Sequence, residues 1–202
     1  MKKALKLLML LGSIAIGLTA RDAAAQNPAL ADMAMGRVDA QLTIVEYASM
    51  TCPHCANFHN SVLPALKSAY IDNGKVRLIY RDFPLDGLAL RAAMVARCGG
   101  SERYFGFVDV IYKQQDTWSR AGDPLKALEQ LMRLGGLGAE GFKACLENKQ
   151  VQDYVLQIRL DGQNQFKVDG TPTFVIDGKT YTGIGTFEDM KKIIDPLLAR
   201  KN

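Results

Sequence analysis

The feature that most constrains this chain is four residues long: Cys52-Pro53-His54-Cys55, set between an apolar β-branched run and a segment of helical periodicity. Leu42 to Tyr47 (LTIVEY) reads as a buried strand with one acid, Glu46, inside it. Beyond the motif, Phe58, Val62, Leu66, Ala69 and Tyr70 recur at helical spacing as far as Asn73-Gly74. The two cysteines therefore open a helix that follows a strand. Pro64 lies inside that helix and is expected to kink it near Asn60. Val76 to Phe83 (VRLIYRDF) reads as a second strand, which makes a β-α-β unit with a parallel pair.

That placement dictates chemistry. A C-x-x-C beside a β-α-β pattern is a redox motif. Pro53 suits the first helical turn, where its missing N–H costs nothing. Cys52 then sits beside unsatisfied backbone donors and the positive end of the helix dipole, and both favour a thiolate. His54 adds a donor, and a positive charge when protonated. Cys55, one turn further on, is expected to be more buried and to hold its proton more tightly. Cys52 is thus the sulfur that attacks or is attacked, and Cys55 resolves the mixed disulfide. Each pKa unit below ambient pH is worth roughly 1.4 kcal/mol, or about 30 mV for a two-electron couple. A Cys52 pKa near 4 would raise the reduction potential by about 90 mV at pH 7.

The rest of the chain changes character twice. Residues 86–166 read as entirely helical. One helix covers Leu88 to Cys98, and Ser101 is placed to cap the next, with Tyr104, Phe105, Val108, Ile111 and Tyr112 on one apolar face. Asp123-Pro124 starts a third, Phe142, Cys145 and Leu146 mark a fourth, and Val151, Tyr154, Val155 and Ile158 a fifth. Aromatics at such spacing, Trp118 included, are read as core. Thr173 to Ile176 then forms a strand, Asp177-Gly178 a turn, Lys179 to Thr182 a returning strand, and Phe187 to Leu198 a last helix bent by Pro196. The flanks are each too small to bury a core alone, so one α/β sheet interrupted by helices is the expected architecture. The resulting division is 26–40 as a lead-in, 41–85 with 167–202 as the α/β domain, and 86–166 as a helical insertion.

Compartment is read from the first 25 residues. Lys2, Lys3 and Lys6 precede an apolar stretch from Leu7 to Leu18, and Ala23-Ala24-Ala25 supplies a small-residue cleavage site. Residues 1–25 are expected to be a cleaved secretory signal rather than a retained helix, and a bacterial periplasm is the expected destination. No cysteine precedes position 52, which excludes a lipid-anchored start. The formal charge is +4 for the full chain and +1 once those residues are removed. No basic stripe remains for nucleic acid. Cys52, Cys55, Cys98 and Cys145 all lie in the exported body, where disulfides persist. Four cysteines allow three pairings, and one close pair with one distant pair is the economical choice.

These features together resemble the DsbA family of periplasmic thiol-disulfide oxidoreductases, in the thioredoxin superfamily. The motif Cys52-Pro53-His54-Cys55 is similar to that family's active site, and Glu46, six residues earlier, looks like its buried acid. Val168-Asp169-Gly170-Thr171-Pro172-Thr173-Phe174 resembles the loop whose proline is cis and faces the disulfide. The likeness covers residues 38 to 200. It implies a thioredoxin-like fold with an inserted helical subdomain. It also implies that Thr171 and Pro172 present backbone to an extended substrate, against an ordinary trans turn. Glu46 would shuttle the proton of Cys55, against a purely structural acid. Cys98 and Cys145 would form a second, structural disulfide, against two separate buried thiols. His59 is read as a surface or capping residue.

The expected activity is that of a protein dithiol oxidase, passing the Cys52–Cys55 disulfide to reduced, unfolded exported proteins. The resemblance implies reoxidation by a membrane quinone-linked partner resembling DsbB, a monomer, no metal, and no cofactor beyond the redox-active disulfide itself. A disulfide reductase or isomerase of the same fold is the nearest alternative. The alternatives of another class are a metal-binding module using Cys52, Cys55, His54 or His59, and a peptide-binding module in which the cysteines are incidental.

Overall fold

The computed structural model describes residues 27–201, so the expected signal at 1–25 lies outside the described residues. The central sheet has the strand order β1-β3-β2-β4-β5. Its core is the parallel pair of β2 (Leu42–Ala48) and β3 (Val76–Asp82), in register from Leu42 beside Val76 to Ala48 beside Asp82. Alternation along β2 buries Leu42, Ile44, Glu46 and Ala48 on one face. β4 (Thr173–Ile176) pairs antiparallel with β2 and is buried throughout. It turns through Asp177 and Gly178, both at positive φ (50° and 74°), into β5 (Lys179–Tyr181). Two residues with positive φ are what a tight two-residue hairpin needs.

One strand was not expected. The segment read as a lead-in contains β1 (Met33–Met35), which pairs antiparallel with β3 and completes the sheet on that side. Three residues give too short a pattern to read, and the pairing is supplied by a strand more than forty residues away. The lead-in is also fastened from the insertion. The buried Arg97 guanidinium donates to the carbonyls of Ala29 (2.9 Å) and Ala31 (3.1 Å) and to the Asp82 carboxylate, which Tyr104 also reaches.

The helix after the motif is α-helical at α1 (Pro53–Asn57) and α2 (Leu63–Leu66), with π-helical turns at Phe58–Val62 and Lys67–Ile71. The disturbance expected near Asn60 takes this form. Pro64 has no N–H to offer the Asn60 carbonyl, and the adjacent Leu63 N–H bonds five residues back, to Phe58.

Between β3 and β4 lie α3 (Gly87–Arg97), α4 (Gly100–Lys113), α5 (Gln115–Ser119), α6 (Pro124–Leu134), α7 (Ala139–Glu147) and α8 (Lys149–Phe166). Asp123 caps α6 as expected, its side chain accepting from the Lys126 N–H. Ser101 does not cap α4. That helix starts a residue earlier, at Gly100, and has no side-chain cap. Its inward face carries Tyr104, Phe107, Val108, Ile111 and Tyr112, with Phe105 only half-buried. The short α5 was not foreseen. The chain closes on α9 (Phe187–Ala199), which runs through Pro196 and opens with a reciprocal Thr186–Asp189 capping box.

Two apolar clusters result. One lies between the sheet, α2 with the π-helical turns on either side of it, and α9, around Ile44, Phe58, Leu78, Phe174 and Ile194. The other is built from the helices, around Tyr104, Ile111, Trp118 and Leu128, and includes Cys52 and Cys55. The redox motif is therefore packed against the insertion as well as carried by the sheet.

Candidate active site

Cys52 is the N-cap of α1, with extended backbone (φ −79°, ψ 120°) and Pro53 in the first turn behind it. The residue is only 6% exposed. Its thiol donates to the Thr171 carbonyl at 3.2 Å, across a peptide bond to Pro172 that is cis, as the resemblance implies. The Cys55 thiol is the main reason the Cys52 pKa falls to about 5. Burial opposes the fall, and the Thr171 hydroxyl and the backbone N–H groups of Cys55 and His54 support it. The Thr171 Oγ1 is itself buried, with no hydrogen-bond partner beside the neutral dithiol. An ionised Cys52 offers it an acceptor. A pKa near 5 leaves Cys52 about two units below neutrality, worth about 60 mV of oxidising potential at pH 7.

Cys55 is fully buried, and burial pushes its thiol well above the ordinary value, followed by the neighbouring Cys52 and the charge of Glu46. The two sulfurs are thus driven apart, one toward thiolate and one toward thiol. His54 is exposed. It lines a groove of about 530 Å³ with Thr171, Pro172, Gly183, Ile184 and Gly185. Asn57 donates to the Gly185 carbonyl at 3.2 Å and fixes that wall to α1.

Glu46 is fully buried on the β2 face that α1 covers. Its partner corrects the sequence reading: His59 is not at the surface. It is 7% exposed, and its Nε2 lies 3.0 and 3.1 Å from the two Glu46 oxygens. The ring is enclosed by Phe58, Tyr80 and Tyr112. The signal was available, because His59 is four residues past the buried Cys55 and so shares its inward helical face. Tyr112 joins the same pocket, its hydroxyl 2.8 Å from that of Tyr80. Burial, then the charges of Cys55 and Glu46, hold it well above its ordinary pKa.

The insertion also reaches the loop that precedes Cys52. The Tyr112 hydroxyl donates to the Ser49 carbonyl (3.2 Å), and the buried Gln115 Nε2 donates to both Met50 (2.9 Å) and Cys52 (3.0 Å) carbonyls. Nothing in the sequence marks Gln115, since its partners lie 65 and 63 residues away.

Cys98 and Cys145 form a disulfide with their Cα atoms 5.9 Å apart, joining the end of α3 to α7. Cys52 and Cys55 are both free thiols. Among the described residues no three His, Cys, Asp or Glu side chains are grouped to hold a metal ion, and no helix is long and apolar enough to cross a membrane.

Comparison with known proteins places these features. The family model described as thioredoxin matches residues 29–196. A putative protein-disulfide oxidoreductase of Rickettsia bellii is 36% identical over 148 residues, which are 73% of this chain and 57% of that protein. A probable disulfide bond formation protein D of Bacillus cereus is 31% identical over 172 residues, covering 82% of this chain and 78% of the relative. This chain thus spans less than two thirds of the rickettsial relative. Among solved structures, the crystal structure of Wolbachia pipientis alpha-DsbA1 superimposes with a TM-score of 0.78 at 31% identity, covering 84% of this chain and 92% of that one.

Proposed function

Because this chain belongs to the thioredoxin family, as a DsbA-like member, we propose that it is an exported protein dithiol oxidase. A client thiolate attacks Cys52 of the Cys52–Cys55 disulfide. The bond between the two sulfurs breaks, a client–Cys52 mixed disulfide forms, and Cys55 leaves and takes up a proton. A second client thiolate then attacks the client sulfur of that mixed disulfide, and Cys52 departs as a thiolate. The client gains one disulfide and the chain retains two electrons as its dithiol.

The observation that carries this reading is the opposed tuning of the two sulfurs. A low-pKa thiol is the faster leaving group, so Cys52 is released readily and the mixed disulfide resolves toward the client. Cys55, held toward its neutral form, keeps the proton it acquires. Glu46, with His59 against it, is the group we assign to deliver that proton. The groove beside His54 and Thr171 receives an extended client segment, whose backbone the loop at Thr171 can pair with in a sequence-tolerant way. Residues 1–25 direct the chain to the periplasm, where it acts as a monomer and a quinone-linked membrane partner resembling DsbB restores the disulfide.

The deciding experiment is the Cys52–Cys55 reduction potential, measured against glutathione, with oxidation of a reduced unfolded protein followed in parallel. A potential well above thioredoxin's, about −270 mV, and catalytic disulfide transfer are expected. A value at or below that level makes the chain a reductase.

A further inference from the structure

The four residues before the Cys-Pro-His-Cys helix form no regular element, yet the Cys52 sulfur must be held on the first turn of α1 to better than a bond length for the donors there to act. The local chain restrains it at both ends, the Cys52 N–H donating to the Ser49 carbonyl at 3.1 Å and the Ala56 N–H to the Cys52 carbonyl at 3.1 Å. Further restraints on these carbonyls come from the insertion. Tyr112 donates to the Ser49 carbonyl and Gln115 to those of Met50 and Cys52, so that three of the four carbonyls from Ser49 to Cys52 accept from side chains of α4 and α5. A single Nε2 serves two of them, and a primary amide has two hydrogens to give. Gln115 is itself braced: Trp118, three residues on, donates its indole N–H to the Ile111 carbonyl at 2.9 Å and ties α5 to α4.

We propose that Gln115 is a positioning residue for Cys52, holding the Met50 and Cys52 carbonyls turned into the insertion so that the sulfur stays on the first-turn donors of α1. This rests on the oxidase reading for its biological meaning, but not for its physics. Carbonyl oxygens carry partial negative charge. Without Gln115 the Met50 carbonyl is released to turn toward solvent or toward the sulfur, and the Cys52 carbonyl keeps only the Ala56 N–H; either change weakens the setting that favours a thiolate. The insertion, besides covering the motif, thereby tunes it. A side chain that merely filled space would serve packing equally well without two donors.

The test is a thiolate absorbance titration of the reduced, folded chain, together with the glutathione equilibrium of its disulfide. Gln115→Met keeps the length and apolar bulk and removes both donors. It should raise the Cys52 midpoint by about one pH unit and make the disulfide about tenfold easier to form against glutathione. Tyr112→Phe, which removes only the Ser49 contact from this set, should move the midpoint in the same direction by less. Val155→Ala, in a separate cluster around α8, loosens the insertion without touching the loop and should leave the midpoint in place. An unmoved midpoint in folded Gln115→Met, or an equal shift in Val155→Ala, overturns the proposal. Should Gln115→Met not fold, Gln115→Ala removes the same two donors with less bulk to place, and an unmoved midpoint there overturns it instead. The titration needs no client protein. A wild-type chain that fails to oxidise clients while its midpoint still responds to Gln115 rejects the oxidase reading alone.

Discussion

Two sulfurs three positions apart have opposite preferences for a proton, and the difference is made by their immediate neighbours. Cys52 is surrounded by donors, whereas Cys55 is enclosed by apolar atoms and the charge of Glu46. Replacing Cys55 with alanine should remove the transferable disulfide and abolish client oxidation. Offered a client disulfide instead, Cys52 should displace one client thiolate and stay bonded to the other client sulfur, in a complex visible on non-reducing gels because no Cys55 thiol is there to release it. Cys52→Ser should give neither complex nor product. The same asymmetry sets a pH dependence. An unfolded thiol titrates near 9 and the folded Cys52 near 5, so ionisation stabilises the folded reduced chain fully above the first value and not at all below the second. Cys55 is neutral in both states below pH about 8 and adds nothing there. Acidifying from pH 7.5 to 4.5 should thus cost the reduced form about 3 kcal/mol relative to the oxidised one, read from urea unfolding of both. The Glu46–His59 pair invites a second measurement. His59→Leu strands a buried carboxylate and should lower stability by about 3 kcal/mol, whereas a Glu46→Leu/His59→Leu double variant should cost less than that single change.

Among the elements, the insertion is held in shape by ties that cross it. The Cys98–Cys145 bond closes a loop of 47 residues between α3 and α7, for which chain entropy sets a ceiling of about 4 kcal/mol. Replacing both cysteines with alanine should lower the free energy of unfolding by up to that amount, measured with the Cys52–Cys55 pair kept oxidised. The α6 cap is a smaller effect of the same kind. Asp123→Ala removes the acceptor for the Lys126 N–H and should cost about 1 kcal/mol. The elements also differ in how plainly their sequences announce them. β2, β3 and α6 carry strong periodicity or unambiguous caps and are readable from the chain alone. β1 is three residues long and exists because β3 presents an open edge to it. The short α5 owes its place to Trp118 and Gln115, whose partners are in other elements. The start of α4 was misjudged because Ser101 is a good capping residue in isolation, but the chain turns at Gly100 with φ 64°, which favours glycine.

For the molecule as a whole, the nature of the site was legible and its support was not. Cys52, Cys55, Glu46 and the Thr171-Pro172 loop stand out as residue types at fixed offsets. His59, Tyr112 and Gln115 act through contacts that exist only once the insertion has docked on the α/β domain, and a linear pattern has no means of expressing them. One property of the sheet bears on the company this molecule would keep. Its two outermost strands, β1 and β5, are each three residues long. Nascent chains are rich in exposed segments able to zip onto any long free margin, and such growth is how aggregates begin. Margins this brief leave little backbone for a foreign strand to pair with, so the sheet itself is a poor template for that growth.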